Sequence, residues 1–352
     1  MERYEHGGQI YDAAGNAGDW LDFSANINPL GLSDNILLTL TENLRGIVNY
    51  PDANASELKR AISTRYAVPE KNLVVLNGAA EFFYLHLQVT RPPRVVIPVP
   101  SFAEYERAAR AAGCDVKFFV TRAQDNFALD TAALLAELAP TDCVILARPN
   151  NPTGNLPAPE KILPLAEVAS VVVDESFIDF TDAPSLKNFV AGKISVVQSL
   201  TKIFAIPGLR LGFAVVNENL ARRLNAAKDV WNVNFLAQKV GAVALADDDF
   251  LRRTRAWLST ERKFFTERLS TLRGVKVFPP TVNFVLFKVA SPDVAEKILR
   301  GLRREKILVR SCANFIGLDG SYLRTAIRSR AENLRLFDAL TKLLEDADCE
   351  TV

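Results

Sequence analysis

Short apolar runs alternate with helix-length segments between residues 73 and 216, and this alternation most limits how the chain can fold. The runs of strand length are Leu73–Leu76, Arg94–Pro98, Val116–Val120, Cys143–Ala147, Val171–Val173, Ile194–Val197 and Leu211–Val216. Most of them are separated by helix-length segments such as Phe102–Ala112, Thr131–Ala139 and Pro159–Val168. The alternation predicts an α/β fold in which a largely parallel sheet is buried between helices. Ligands of such sheets bind at the carboxyl ends of the strands.

The C-terminal part of the chain follows a different pattern, helix-rich from Leu220 to Leu272 and then mixed around a helical segment at Pro292–Glu305. The strand-like runs of this part are Val275–Phe278, Asn283–Lys288, Ile307–Arg310 and Tyr322–Ala326. Because 352 residues exceed the length at which one core usually keeps growing, we predict a smaller α+β domain beside the large one. The predicted division is an N-terminal segment 1–45 that contributes to the small domain and the substrate site, a large cofactor-binding domain 46–235 and a small domain 236–352.

The charge and cysteine content argue against several classes of partner. The chain has 42 basic and 41 acidic residues, so no charge excess predicts binding to nucleic acid or to a membrane surface. Its four cysteines lie far apart without metal-ligand spacing, and it has only two histidines, so a metal site is not expected. The N-terminus lacks a signal-peptide pattern, and no apolar run reaches membrane length. We expect a cytoplasmic protein that binds a small molecule.

The stretch from Ser199 to Gly212 places a serine, a lysine and an arginine in a Gly/Pro-rich loop directly after a predicted strand. Lys202 could form a Schiff base with a carbonyl cofactor. Ser199 and Arg210 could bind that cofactor's phosphate, because arginine offers a planar, two-pronged donor. Taken alone, such a stretch is more often an ordinary surface loop.

The Ser-x-x-Lys spacing also occurs in serine β-lactamases and penicillin-binding proteins, where the serine is the nucleophile. Those enzymes carry Ser-Asp-Asn and Lys-Thr-Gly motifs as well. Here the Ser-Asp-Asn at 33–35 precedes the Ser-x-x-Lys, and the chain contains no Lys-Thr-Gly. This alternative is therefore disfavoured.

Four more signals follow other predicted strands. Asn151 lies in a Pro/Gly-rich loop, and Asp174 is a carboxylate that leaves a buried strand. The segment 78–80 opens a helix, where free backbone amides and the helix dipole favour a phosphate. Phe102 follows a strand and could stack on a flat cofactor. Each signal alone also has a plain structural explanation, namely a turn, a helix cap, a common glycine or a core aromatic.

Together these positions describe a site for pyridoxal phosphate. This cofactor needs a lysine for its aldehyde, a carboxylate opposite its pyridine nitrogen, phosphate donors and an aromatic wall. Lys202, Asp174 and Phe102 match three of these needs, and the Ser199/Arg210 loop with the segment 78–80 matches the fourth. The combination is much more specific than any one motif.

The chain resembles the fold-type I pyridoxal-phosphate enzymes of the class I/II aminotransferase family over essentially its whole length. The resemblance rests on the segments His6–Gly8, Leu21–Gly31, Tyr50–Asp52, Phe102–Tyr105, Asn150–Gly154, Phe177–Phe180, Ser199–Gly212, Val309–Asn314 and Arg324–Ser329. It implies a large domain with a mostly parallel, mixed sheet between helices and a smaller α+β domain. Within the family, the chain is most similar to the threonine-phosphate decarboxylases, and next to the histidinol-phosphate aminotransferases.

The resemblance also implies which residues bind the cofactor. Lys202 matches the Schiff-base lysine, Asp174 the partner of the pyridine nitrogen and Asn151 the partner of the phenolic oxygen. Phe102 matches the stacking aromatic. The implied ligands of the cofactor's phosphate are Gly78, Ala79, Ala80, Ser199, Arg210 and Tyr50. Since the matching tyrosine reaches the phosphate of the neighbouring subunit, a homodimer with shared active sites is expected.

The substrate ligands are implied in the same way. Arg324 matches the arginine that binds the substrate α-carboxylate, and Asn151 lies beside it. The residues expected near the substrate's own phosphate are His6, Asn26, Asn28 and Arg310.

The implied reaction is the decarboxylation of O-phospho-L-threonine to (R)-1-amino-2-propanol O-phosphate, for cobalamin side-chain synthesis. Phe177 favours it over the main alternative, a histidinol-phosphate-like aminotransferase, because those enzymes usually carry tyrosine at this position. Ala79 and Ala80 replace more usual polar residues, so phosphate binding there would depend on backbone amides. A regulatory pyridoxal-phosphate protein without catalysis also stays open. So does phosphoserine as the substrate, since one methyl group is discriminated only weakly.

Overall fold

The computed structural model describes residues 4–190 and 192–349. Its strands are β1 (Leu21–Asp22), β2 (Leu73–Leu76), β3 (Arg94–Val99), β4 (Asp115–Val120), β5 (Cys143–Ala147), β6 (Ser170–Asp174), β7 (Ile194–Ser199), β8 (Gly212–Val215), β9 (Lys276–Val277), β10 (Phe284–Lys288), β11 (Ile307–Leu308), β12 (Arg310–Ser311) and β13 (Tyr322–Ala326). Its α-helices are α1 (Asp34–Asn43), α2 (Ser56–Tyr66), α3 (Ala80–Thr90), α4 (Glu104–Ala111), α5 (Thr131–Ala136), α6 (Pro159–Ile162), α7 (Leu165–Val168), α8 (Glu218–Ala227), α9 (Phe235–Leu245), α10 (Asp248–Ser270), α11 (Pro292–Arg304) and α12 (Arg330–Cys349). Among the described residues, no helix is both long and apolar enough to cross a membrane.

Seven strands form one large sheet in the order β2-β8-β7-β6-β5-β3-β4. The strands from β7 to β4 in this order run parallel, whereas β8 is antiparallel to both of its neighbours. Successive side chains of a strand point to opposite faces, and here both faces are apolar: Val74 and Val75 are fully buried in two different clusters. The structure therefore confirms a largely parallel, mixed sheet buried on both sides.

The loop between β7 and β8 carries Lys202. Its ends are closed like a long hairpin, because Ser199 pairs with Gly212 and the Leu200 amide donates to the Leu211 carbonyl at 3.1 Å. Gly212 must lack a side chain, since a Cβ there would lie 2.7 Å from the Ala79 amide nitrogen. The loop and the start of α3 thereby approach each other closely.

The carboxyl ends of β5, β6 and β7 lie side by side. The register pairs Ala147 with Asp174, and Asp174 with Val197. Since neighbouring parallel strands end at the same sheet edge, the segments that follow them meet there. This edge brings together Asn151, Asp174 and Lys202.

Four short strands form a smaller antiparallel sheet in the order β12-β13-β10-β9. β1 pairs in parallel with β11, which joins the N-terminal segment to the C-terminal part. The predicted single strand Ile307–Arg310 divides into β11 and β12, because the two pieces pair with different strands. The predicted helix Pro159–Val168 also divides, at Pro164, where a proline cannot donate a helical hydrogen bond.

The seven-stranded and the four-stranded sheets are formed by different regions of the sequence. The large sheet lies within the predicted domain 46–235, and the smaller sheet within 236–352. Helix α9, which begins at Phe235, packs against α1 and α2. The domain boundaries themselves stay a prediction.

A buried ion cluster lies behind the carboxyl end of β6. Glu175 accepts a hydrogen bond from Arg148 Nη1 at 3.1 Å and lies 3.5 Å from Lys187 Nζ. All three side chains are at most 2% exposed. Removing one member of a buried ion pair typically costs about 3–5 kcal/mol, since the other charge is left unpaired. The cluster therefore holds the strand end that presents the neighbouring residue, Asp174.

Candidate active site

A cavity of about 600 Å³ opens at the carboxyl edge of the large sheet. The predicted site residues that line it are His6, Asn26, Ala79, Ala80, Phe102, Asn151, Asp174, Lys202, Arg210, Arg310 and Arg324. They come from the N-terminal segment, the loops of the large sheet and the smaller sheet. Residues far apart in sequence thus share one cavity.

Lys202 extends from the β7–β8 loop into this cavity. Its Nζ donates to the Ser199 hydroxyl at 3.0 Å and lies 5.7 Å from the centre of the Phe177 ring. Burial lowers the pKa of Lys202 to about 8; the charge of Arg210 lowers it as well, whereas the carboxylate of Asp174 raises it. An amine with this pKa is neutral in a substantial fraction of molecules near neutral pH, and the neutral amine is the nucleophile.

Asn28 anchors the β7–β8 loop that carries Lys202. Its backbone amide donates to the Lys202 carbonyl at 3.1 Å. Its side-chain Nδ2 donates to the Ile203 carbonyl and to the Thr254 hydroxyl, both at 2.8 Å. The side chain is almost fully buried and does not line the cavity, so its contacts orient Lys202 instead.

Asp174 presents a fixed carboxylate at the end of β6. Its Oδ2 accepts from the Tyr105 hydroxyl at 2.6 Å, and its Oδ1 accepts from the Ser176 amide at 2.9 Å. Burial, together with the charge of Asp174, raises the pKa of Tyr105 well above its ordinary value. The phenol therefore stays protonated and keeps donating to the carboxylate. Two donors of this kind fix the orientation of the carboxylate.

The start of α3 forms an anion cradle. Gly78 has a φ of +85°, and a Cβ at this position would lie 2.2 Å from Arg210 Nη2. The guanidinium therefore packs directly on the glycine backbone. The next residues, Ala79 and Ala80, line the cavity with the amides that helix geometry leaves without intrahelical acceptors. Backbone amides, a helix dipole and a guanidinium together favour a phosphate.

Arg310 and Arg324 face each other across β12 and β13, and each is only 5% exposed. Arg310 donates to Asn314 Oδ1 at 2.7 Å and to a backbone carbonyl. Arg324 donates to Asn151 Oδ1 and to the Ser24 carbonyl, and its Nε has no hydrogen-bond partner. Burial lowers the pKa of Arg324 to about 10. In the part of the chain that the structure describes, neither guanidinium forms an ion pair with a carboxylate. Two buried cations with neutral partners are suited to an anionic ligand.

The N-terminal segment covers one side of the cavity. The His6 ring lies 5.3 Å from the Phe102 ring, centre to centre. His6 Nε2 lies 2.8 Å from Glu104 Oε1. Phe102 also meets Tyr105 edge to face, so one aromatic wall runs from the N-terminal segment toward Asp174.

Comparison with known proteins identifies the family. The sequence matches the family model for aminotransferases of class I and II over residues 18–340. The chain belongs to the class I and II aminotransferase family. The resemblance inferred from the sequence motifs is thereby confirmed.

Three relatives illustrate the similarity. Threonine-phosphate decarboxylase from Salmonella typhimurium is 38% identical over 96% of this chain and 96% of its own. The crystal structure of histidinol-phosphate aminotransferase from Clostridium acetobutylicum matches with a TM-score of 0.86 and 31% identity, over 92% of this chain and 99% of that chain. The crystal structure of L-threonine-O-3-phosphate decarboxylase from Porphyromonas gingivalis matches with a TM-score of 0.83 and 30% identity, over the same shares. These matches confirm the α/β architecture of the fold-type I enzymes.

This aminotransferase-family chain is a pyridoxal-phosphate-dependent enzyme, and the cavity fits the cofactor. It offers an amine of lowered pKa at Lys202, a hydrogen-bonded carboxylate at Asp174 and an aromatic face at Phe102. The glycine at 78 leaves room for Arg210 at the start of α3, where a phosphate is favoured. The donor set therefore has the charges and the shape that the cofactor needs.

Four predicted site residues of this family member do not line the cavity. Ser199 is buried under the lysine and bonds Thr201 as well, Asn28 is buried below the loop, and Gly78 lies behind Arg210. Tyr50 lies on the surface, 76% exposed, and stacks on Trp231. Their roles as ligands stay predictions.

Sequence reasoning missed several polar contacts of the site. The structure adds Tyr105 and the Ser176 amide beside Asp174, and Ser24 and Asn314 beside the two arginines. Tyr105 and Asn314 lie within segments that carried the family resemblance, which was the available signal. Backbone groups such as the Ser24 carbonyl carry no signal in the sequence.

Replacing Gly78 with alanine tests the anion cradle, with Gly113 as a matched control. Both glycines have positive φ, but a Cβ at Gly113 meets nothing within 4 Å, whereas one at Gly78 displaces Arg210. Both variants pay a backbone strain of about 1–2 kcal/mol. We expect Gly78→Ala to raise the Kd of pyridoxal phosphate by at least about tenfold, roughly 1.4 kcal/mol, and Gly113→Ala to leave it unchanged. Equilibrium dialysis of the apoproteins measures both, and equal Kd values would contradict the cradle.

Proposed function

We propose that this enzyme removes the carboxylate of O-phospho-L-threonine as CO₂ and releases (R)-1-amino-2-propanol O-phosphate. The observation that carries the proposal is the pair of buried guanidinium groups at Arg310 and Arg324. A substrate with both a carboxylate and a phosphate can supply an anion to each of them. Arginine is suited to both groups because its planar donors bind them in pairs.

Sequence identity to whole relatives supports decarboxylation over amino transfer. The Salmonella typhimurium decarboxylase is 38% identical over 96% of this chain, and the histidinol-phosphate aminotransferase from Thermoanaerobacter sp. is 32% identical over 91% of it. Phe177 supports the same choice, since it has no hydroxyl to offer the cofactor and packs edge to face on Phe284 instead. A histidinol-phosphate-like aminotransferase is the second candidate, because the same pair of arginines would accept its anionic substrates.

Pyridoxal phosphate, when bound, supplies an electron sink for the bond that breaks at the substrate α-carbon. The carboxylate of Asp174 would face the pyridine nitrogen and keep it protonated, and Tyr105 and the Ser176 amide hold that carboxylate in place. Lys202 would hold the cofactor through its aldehyde carbon. After loss of CO₂, the Lys202 ammonium would return one proton to the α-carbon, since among the described residues it is the lysine that lines the cavity with Asp174.

The anions of the substrate decide which bond of the α-carbon breaks. In our proposal Arg324 binds the carboxylate, and its contacts with Asn151 and the Ser24 carbonyl fix its direction. Arg310 and His6 bind the phosphate at the other end. Two anchors at a fixed separation set the rotation of the substrate about its amino nitrogen, and this rotation selects loss of CO₂ or loss of a proton.

We also propose that the enzyme is a cytoplasmic homodimer whose active sites are shared. The support is an exposed apolar surface beside Tyr50, which we call the α1 surface. Its residues are Leu37, Leu38, Leu44, Ile47, Val48, Tyr50, Val230 and Trp231, each at least 45% exposed. Tyr50 stacks on Trp231 within this set, and large exposed apolar patches usually mark an interface. A second copy that covers it would bring Tyr50 toward the partner's cavity.

The reaction is tested by following CO₂ release from O-phospho-L-threonine with purified holoenzyme and no keto acid. We expect CO₂ and 1-amino-2-propanol phosphate in equal amounts. O-Phospho-L-serine, which lacks one methyl group, is expected to react about 10- to 200-fold less efficiently in kcat/KM. L-Threonine, which lacks the phosphate, serves as the negative control.

A matched pair of arginine variants links the reaction to the cavity. Arg310→Met should reduce kcat/KM for phosphothreonine by at least about 100-fold, roughly 2.7 kcal/mol, because a charged hydrogen bond to the phosphate is lost. Arg300→Met, on an exposed face of α11, should leave it unchanged. Absence of CO₂ together with amino transfer from histidinol phosphate to 2-oxoglutarate would replace our proposal with the second candidate.

The dimer is tested by placing a charge on the α1 surface. Val48 is 83% exposed there, and Val120 on the edge strand β4 is 55% exposed. We expect the wild type and Val120→Glu to sediment at twice the monomer mass, and Val48→Glu to sediment as a monomer, because burying a carboxylate is costly. A wild-type monomer at micromolar concentration, or a Val48→Glu dimer, would contradict the proposal.

A further inference from the structure

Glu104 is a buried carboxylate directly behind the wall of the active-site cavity. It is 7% exposed, begins helix α4 and follows two residues, Phe102 and Ala103, that line the cavity. It does not line the cavity itself. Buried acidic side chains are rare without partners, so its contacts indicate what it does.

Three donors converge on this carboxylate. Tyr84 donates its hydroxyl to Oε2 at 2.6 Å, Arg107 Nη1 lies 3.3 Å from Oε1, and His6 Nε2 lies 2.8 Å from Oε1. Burial alone raises the pKa of Glu104, but hydrogen bonds from His6 and Tyr84 and the charges of His6 and Arg107 bring it down to about 2. The carboxylate is therefore ionised and acts only as an acceptor.

The ionised carboxylate of Glu104 at Nε2 determines which hydrogen bonds Nδ1 of His6 can form. Because Glu104 only accepts, the hydrogen of the imidazole must be on Nε2, and Nδ1 is left for a ligand. The 2.8 Å contact also fixes the ring, so Nδ1 keeps one direction. That nitrogen is then available for one hydrogen bond with a phosphate group.

The N-terminal segment is fixed on both sides of His6. The Glu5 carbonyl accepts from Arg310 Nη2 and from Asn314 Nδ2, the latter at 3.0 Å. On the other side, the Gly8 amide donates to the Ser24 hydroxyl at 2.8 Å. These contacts fix the backbone, whereas Glu104 fixes the ring. His6 and Arg310 are thereby held at the same end of the cavity.

We propose that Glu104 is a positioning residue that acts through His6 to give the cavity its preference for phosphorylated over unphosphorylated substrates. Glu104 holds the imidazole in one tautomer and one orientation, at the end of the cavity that also contains Arg310. Tyr84 and Arg107 complete the hydrogen bonds of the carboxylate. The role rests on the proposed function, since it assumes that the ligand at this end of the cavity is the substrate's phosphate.

The test is a double-mutant cycle on holoenzyme with two ligands that have no carboxylate to lose. O-Phosphoethanolamine and ethanolamine differ only in the phosphate, and calorimetry gives a Kd for each. The proteins are the wild type, Glu104→Gln, His6→Ala and the double variant. We expect Glu104→Gln to reduce the phosphate preference, defined as the ratio of the two Kd values, by about tenfold. In the His6→Ala background, Glu104→Gln should change this ratio by less than twofold, because residues that act through one another are not additive.

Two variants separate this role from plain stability. Glu106→Gln replaces another buried carboxylate of α4, which pairs with Arg110, and should leave the ratio unchanged. Tyr84→Phe removes one donor but leaves the Glu104–His6 contact, and should change the ratio less than threefold. The proposal is overturned if Glu104→Gln weakens both ligands equally, or if its effect is as large without His6. These outcomes do not depend on CO₂ release, so a failure of the proposed reaction would be seen separately in the wild-type assay.

Discussion

Parallel pairing of β5, β6 and β7 is the constraint on which the rest of the site depends. Their register places Ala147, Asp174 and Val197 in one row, so the residues that follow them meet at one sheet edge. Asp174 can remain a buried carboxylate because Tyr105 and the Ser176 amide donate to it. Lys202 enters the same cavity beside it. A shift of one residue in this register would turn Asp174 to the other face of the sheet and remove the site.

The balance of charge around that edge then accounts for the ligands. Four basic side chains line the cavity: Lys202, Arg210, Arg310 and Arg324. At about 4 Å and an effective dielectric constant near 20, one unit charge attracts another by about 4 kcal/mol. Arg210 with the α3 amides is suited to one phosphate, and the Arg310/Arg324 pair is suited to two further anionic groups. The cavity is therefore organised for a phosphorylated cofactor and a substrate with two anions.

The ends of the strands could be predicted because each strand is a short apolar run with a recognisable last residue. Asp174 and Lys202 follow runs that are buried on both faces, and such runs are recognisable without a structure. The antiparallel direction of β8 and the division of Ile307–Arg310 depend on which strands pair, and pairing is a long-range property. The sequence therefore predicts which residues lie at the edge of the sheet, but not which strands pair or in which direction.

Side-chain direction accounts for the remaining differences between the predicted and the observed site residues. Asn28 and Ser199 occur in the right segments, yet their polar atoms bond the lysine loop and not the cavity. Tyr105 and Glu104 belong to a family motif, but the sequence does not show what they contact. Their partners, Asp174 and His6, lie 69 and 98 residues away along the chain. Such partners are fixed by packing, which local sequence does not encode.

We infer that burial in this site makes Lys202 the amine that captures the cofactor. This is measured directly by the rate at which the apoprotein captures pyridoxal phosphate between pH 6 and 10, with borohydride reduction at each pH and mapping of the labelled lysine. Only the neutral amine reacts, so the rate should rise with pH through the pKa of Lys202 and reach half of its maximum at a pH of about 8. The label should be on Lys202. A rate that rises almost tenfold between pH 8 and pH 9, as for an ordinary lysine with a pKa of about 10.4, or a label on Lys187 or Lys228, would contradict this role of Lys202.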